Sequence, residues 1–110
     1  MKITEEKYRD VAVCSLEGEL NITTSPELRA KFDALIKNSV CKVIVDLAGV
    51  SYIDSSGLAT LIEMLQRLKK AGGRMRLAGL GAKIRSIFEI TKLHNLFEIC
   101  DSREAALKDF

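Results

Sequence analysis

Val43-Ile44-Val45-Asp46-Leu47, followed at a short distance by Ser51-Tyr52-Ile53-Asp54-Ser55-Ser56-Gly57, decides how this chain is read. The first run is β-branched and almost continuously apolar, the pattern of a strand buried on both faces of a sheet. The second sets two hydroxyls and a carboxylate where that strand hands over to a helix. The helix carries Leu58, Leu61, Ile62, Leu65 and Leu68 on one stripe and stops at Gly72-Gly73. Side chains at such a hand-over project from the C-terminal edge of the sheet, the usual ligand end of an α/β fold.

The same alternation continues in both directions. Upstream, a helix is capped by Thr24 or Ser25, has Pro26 in its first turn, buries Leu28, Phe32, Leu35 and Ile36, and stops near Asn38. Before it, Lys2 to Tyr8 and Val11 to Leu16 read as two strands joined by a turn at Arg9-Asp10. Downstream come a strand over Met75–Ala78, a helix from Ala82 to Thr91 burying Ile84, Ile87 and Phe88, and a short strand over Leu96–Ile99. A final helix, capped by an Asp101/Glu104 box, carries Ala105, Leu107 and Phe110. This order predicts one α/β domain over residues 1–110. Its sheet is mixed but mostly parallel, with four or five strands and Val43–Leu47 at the centre. About four helices pack mainly on one face.

Composition narrows the function. The chain has 110 residues, a net charge of +2 and 5% aromatics with no Trp. Neither a general nucleic-acid or membrane binder nor a base-stacking platform fits that balance. No apolar run approaches a membrane span, and the N-terminus has no apolar signal segment, so membrane insertion is not expected and a cytoplasmic location is. Cys14, Cys41 and Cys100 are odd in number and lack C-x-x-C spacing, so they read as reduced, small core residues rather than disulfides or, with the single His94, metal ligands.

A search for catalytic chemistry finds little. No phosphate-binding P-loop is present, and Gly79-Leu80-Gly81 lacks the third glycine of a dinucleotide fingerprint. Ser55-Ser56-Gly57 departs from a nucleophile elbow because position 53 is Ile. His94 reads as a solvated or capping loop residue. Asp46 and Asp54 suggest a carboxylate pair only weakly, Asp46 reading better as a strand-end residue that satisfies loop amides. Between Gln66 and Lys92 stand Arg67, Lys69, Lys70, Arg74, Arg76, Lys83, Arg85 and Lys92 against Glu89 alone. This basic strip is either a set of separate solvated faces, a docking surface for an acidic protein, or, least in keeping with the overall charge, a nucleic-acid contact.

The run Val45-Asp46-Leu47-Ala48-Gly49-Val50-Ser51-Tyr52-Ile53-Asp54-Ser55-Ser56-Gly57-Leu58 resembles the signature of STAS domains, in particular bacterial anti-sigma factor antagonists. Gly18-Glu19-Leu20-Asn21 ahead of the Ser-Pro helix, Ala71-Gly72-Gly73, Ala78-Gly79-Leu80 and the Leu93–Phe97 segment extend the resemblance over essentially the whole chain.

That resemblance implies a partner switch. The unmodified protein would bind an anti-sigma factor that is also a serine kinase, freeing a sigma factor. Phosphorylation of the Ser after the Asp, here Ser55, would release it, and a PP2C-type phosphatase would reset it. ATP and Mg²⁺ would belong to the kinase, so the domain itself needs no cofactor and is not expected to be an enzyme. The implied partner surface joins Asn21, Ile22, Thr23 and Thr24 to Asp54, Ser55, Ser56, Gly57, Leu58 and Thr60, with Arg103 well away from it. Ser55 is expected just outside the helix and Ser56 inside its first turn. Two positions depart from the family pattern: Asn21 stands where many relatives carry Asp, and Ala59 replaces a frequent Gly. The other reading the resemblance allows is a soluble STAS accessory subunit of a transport complex, such as a lipid-trafficking ABC system.

Overall fold

A computed structural model describes residues 1–110. The elements are β1 (Lys2–Tyr8), β2 (Val11–Leu20), α1 (Ser25–Lys37), β3 (Lys42–Ile53), α2 (Ser55–Lys70), β4 (Arg74–Ala78), α3 (Ala82–Ile90), a 3₁₀ turn (Leu93–Asn95), β5 (Glu98–Cys100) and α4 (Arg103–Leu107). The five strands lie side by side in chain order, β1 antiparallel to β2 and every later pair parallel. From β2 to β5 each crossover therefore steps one strand in the same direction. Right-handed crossovers then place α1, α2 and α3 on the same face.

On that face Ala12, Cys14 and Leu16 of β2, Val43, Val45 and Leu47 of β3, and Met75 and Leu77 of β4 meet Leu28, Phe32, Leu35, Leu61, Met64, Leu65, Leu68, Ile84 and Phe88. Ile36, Ile62 and Ile87, expected inside, are only partly buried along the margins of their stripes. The other face is thinner: Val11, Val13, Ile44 and Ala78 are covered by Ala106 of α4. Val43, Ile44 and Val45 are all fully buried, the two-sided burial expected of a central strand.

α4 is held to its face mainly by arginines. Arg76 donates to the carbonyls of Ala106 (2.8 Å) and Lys108 (3.0 Å), capping the end of the helix. Arg103 donates to Glu6 (2.9 Å) and to the Ser15 hydroxyl, and pairs with Asp46 (3.3 Å).

Four local expectations need correction. β3 runs six residues past Leu47, to Ile53, because two bulges shift its pairing with β2, between Ser15 and Glu17 and between Gly18 and Glu19. Each bulge turns the alternation of two into a step of three, so Leu47, Val50 and Ile53 face inward and the strand no longer looks like one. β5 begins at Glu98, since Leu93–Asn95 form a 3₁₀ turn and Leu96 is exposed. α4 is capped by Ser102, whose hydroxyl accepts from the Ala105 amide (3.1 Å), while Asp101 faces solvent near Arg85 and Ala106 takes the buried place given to Ala105. Cys41 is exposed and Cys100 half-buried; only Cys14 is a core residue.

Burial pushes the Cys14 thiol up to about 11. From about pH 8.5, where a free thiol ionises, the unfolded chain gives up this proton while the folded chain keeps it, so stability falls as pH rises through that window. Denaturant titrations across it should show this decline, and Cys14→Ala should flatten it. Alkylation of the native protein should reach Cys41 first, Cys100 more slowly, and Cys14 only on unfolding.

Candidate functional site

Parallel pairing carries β2 and β3 to a common end, with Leu20 opposite Ile53. The Asp54 amide donates to the Leu20 carbonyl (3.1 Å), extending that pairing by one link. Asp54 then serves two chains of backbone at once. One carboxylate oxygen accepts from the Gly57 amide (3.0 Å) and caps α2; the other accepts from the Ile22 amide (3.2 Å) and holds the loop after β2. Asp54 and Asp46 do not form a carboxylate pair. Asp46 sits in the body of β3, where it accepts from the Ala48 amide (3.0 Å) beside the first bulge and faces Arg103.

The loop is tied down from within. The Asn21 side-chain oxygen accepts from the amides of Thr23 (2.9 Å) and Thr24 (3.1 Å), and the Thr24 hydroxyl accepts from the Asn21 amide (2.9 Å) and donates to the Glu19 carbonyl (2.8 Å). Thr24 occupies the N-cap position of α1 but makes no side-chain cap bond there, so Asn21 does the turn-forming work the sequence assigned to Thr24 or Ser25. Only the acceptor oxygen of Asn21 is used, a role that Asp would fill equally.

Ser55 is the first residue of α2 rather than a residue outside it, and it is exposed; Ser56 is half-buried. The backbone amides of both have no acceptor in the chain and lie at the positive end of a 16-residue helix. Gly57 sits where no side chain fits: a Cβ would come within 2.7 Å of Leu20 Cγ and 2.8 Å of the Leu20 carbonyl. Thr60, expected at the surface, is 2% exposed, and its hydroxyl donates to the Ser56 carbonyl (3.0 Å), so it supports the first turn from below. Leu58 is half-buried against the core.

Ile22 is 74% exposed, the side chain its loop presents to solvent. Beside it a groove of about 280 Å³ runs between the first turns of α1 and α2, lined by Ser25, Pro26 and Arg29 on one side and Ser56, Ala59 and Thr60 on the other. Pro26, Arg29 and Ala59 were not legible as site residues, because only the packing of α1 beside α2 brings them to this edge; Ala59 is exposed there. Arg29 pairs with Glu63 across the two helices (3.2 Å). Tyr52, also missed, is exposed on β3 next to the same edge. Arg103 lies on the opposite, α4 face, as expected, yet its ties to three strands make it a structural residue rather than a silent one.

This small α/β module, with a serine exposed at a helix start and bounded by a carboxylate cap and a fixed loop, matches the family model for the STAS domain over residues 2–106. The chain belongs to the STAS domain family. Among its relatives, BtrV of Bordetella bronchiseptica, named as a candidate anti-sigma factor antagonist, is 30% identical over 100% of this chain and 95% of its own. The anti-sigma-B factor antagonist of Staphylococcus aureus is 31% identical over 92% of this chain and 91% of its own. The unphosphorylated anti-sigma factor antagonist SpoIIAA is similar in structure, with a TM-score of 0.76 and 25% identity over 96% of this chain and 94% of that one. A sulfate transporter family protein from Wolinella succinogenes shares the fold alone (TM-score 0.80, 18% identity, 91% of this chain and 84% of that one).

Gly57→Ala should destabilise the domain by about 1–3 kcal/mol through its clash with Leu20, although alanine is the better helix former by about 1 kcal/mol. Asp54→Ala should cost about 1–2 kcal/mol by uncapping α2 and should also speed hydrogen exchange at the Ile22 amide, whereas Asp54→Asn, which can keep an acceptor oxygen on Gly57, should cost less. Urea denaturation and amide exchange measure both.

Proposed function

We propose that this domain is an anti-sigma factor antagonist that works by partner switching. Unphosphorylated, it binds an anti-sigma factor serine kinase through the loop at 21–24 and the start of α2, and a sigma factor is set free. The kinase, which carries the ATP and Mg²⁺, transfers phosphate to Ser55, and a PP2C-type phosphatase removes it. The domain is the substrate of this chemistry and not a catalyst.

The observation that carries this reading is the setting of Ser55: an exposed hydroxyl on the first residue of α2, with two unpaired backbone amides beside it and the stapled Ile22 loop alongside. The physical logic is a difference between two states. A phosphate brings about −1.5 to −2 charges. On the free domain that charge gains from the helix N-terminus and water. Inside a closed interface it loses water, and its repulsion from Asp54, screened by water on the free domain, strengthens, so phosphorylation favours the free state.

Incubation with the anti-sigma factor serine kinase of its host and ATP, followed by peptide mapping, should find phosphate on Ser55. Ser55→Ala should remain bound without turnover. Ser55→Asp should weaken binding on the order of tenfold or more, as expected for an unpaired charge placed in an interface. Phosphate confined to Ser56, or persisting in Ser55→Ala, would overturn the reading.

A further inference from the structure

A phosphate on Ser55 arrives among acidic side chains. In the segments that frame the site, 19–29 and 52–63, the carboxylates are Glu19, Glu27, Asp54 and Glu63, and the one cation is Arg29. Arg29 lines the groove of about 280 Å³ between the first turns of α1 and α2, with Ser56, Ala59 and Thr60 on the facing wall. Its side chain crosses to α2 and pairs with Glu63 at 3.2 Å. That contact lacks the hydrogen-bond alignment that Arg74 and Arg76 make with Glu98, and both its side chains are nearly half exposed, so little holds it.

The two helices run side by side in the same direction, as the ion pairs Arg29–Glu63 and Asp33–Arg67 show. On α2, Ser55, Ala59 and Glu63 recur every four residues and form one stripe. The middle member is alanine, whose methyl leaves the way along the stripe open. Successive members are about one helical turn apart, roughly 5.4 Å along the axis, a distance the long arginine stem covers. Helical side chains lean toward their N-terminus, so Arg29 inclines toward the end of the groove where Ser55 stands. Glu27 lies about 200° around α1 from Arg29 and faces away from it, and both oxygens of Asp54 are engaged by the amides of Ile22 and Gly57. The groove also holds polar capacity that the unmodified chain leaves unmet: Ser25, in its wall, is 4% exposed, and its hydroxyl has no hydrogen-bond partner.

We propose that Arg29 is the phosphate-responsive residue of this domain: when Ser55 is phosphorylated, the guanidinium leaves Glu63 and pairs with the phosphate. The inference rests on the phosphorylation of Ser55 proposed above. Charge drives the exchange. The phosphate carries roughly twice the charge of a carboxylate and three oxygens that suit the guanidinium fork, whereas Glu63 offers one water-screened charge. The amides of Ser55 and Ser56, which have no acceptor in the chain, add a second favourable contact at the helix start. Phosphorylation thus removes a tie between α1 and α2 and replaces it with one that holds the phosphate on the free domain.

Genetic encoding of phosphoserine at position 55 supplies the modified chain without a kinase. The test therefore stands apart from whether a kinase accepts Ser55, which peptide mapping decides. Phosphorus NMR follows the second ionisation of the phosphate, ordinarily near pH 6. A paired guanidinium favours the doubly charged form. Arg29→Gln should accordingly raise this pKa by about half a unit, a roughly threefold change in proton affinity, and Arg29→Lys should raise it less. The Arg29 Nε–H signal should follow the phosphate through its titration while that of Arg85 stays still. Glu63→Gln should move the Arg29 signal in the unmodified chain and leave it nearly still in the phosphorylated one. The same phosphate pKa with and without Arg29, or an equal response to Glu63→Gln in both forms, would overturn the proposal.

Discussion

The carboxylate of Asp54 is the joint on which the edge of this domain depends. Parallel pairing of β2 with β3 delivers two chain ends to one place, but pairing stops at Leu20 and Ile53. Beyond them the backbone of the 21–24 loop and the start of α2 would be separate, each with amides lacking acceptors. Asp54 satisfies one amide of each and makes them a single surface. Gly57 lets α2 settle against Leu20 closely enough for this to happen. Ser55 is left exposed at the helix start, between the capping carboxylate of Asp54 and the first turn that Gly57 seats against Leu20.

The two faces of the sheet are built on different physics. The face under α1, α2 and α3 is closed by apolar packing around Phe32, Leu61 and Phe88. The other face has few apolar residues, and α4 is short, so arginines supply much of its attachment. Arg76 stacks under Phe110 at 4.5 Å while bonding the helix-end carbonyls, and Arg103 spans β1, β2 and β3. Burial works to raise the Glu98 carboxyl, but hydrogen bonds and charge from Arg74 and Arg76 outweigh it and hold Glu98 below the usual glutamate range. Acid that protonates Glu98 therefore loosens β4 and β5 from each other through a half-exposed group, a modest effect in water.

Legibility followed periodicity. Helices α1 and α2 and the buried run Val43–Leu47 could be placed because their apolar spacing has one cause, a single covered face or two. The far half of β3 could not, since each bulge resets the spacing and Leu47, Val50 and Ile53 mimic neither strand nor helix. The start of β5 was displaced because Leu96 and Phe97 look like strand residues, yet Phe97 packs against Phe88 from a turn and Leu96 faces water. At α4, Ser102 and Asp101 are both competent caps, and only the path of the chain out of β5 chooses between them.

The sequence by itself determined the alternation of strands and helices, the central strand, the family resemblance and the importance of the run Asp54 to Gly57, because these rest on local chemistry: side-chain shape, capping groups and apolar period. Tertiary structure alone decided which residues share a surface. It joined Ile22 to Asp54 across 32 positions of chain, sank Thr60 beneath the turn it supports, brought Pro26, Arg29 and Ala59 together at one groove, and paired the arginines but not the lysines of a strip that reads as basic but for Glu89. Register between parallel strands and packing between helices are long-range relations, and no window of neighbouring residues contains them.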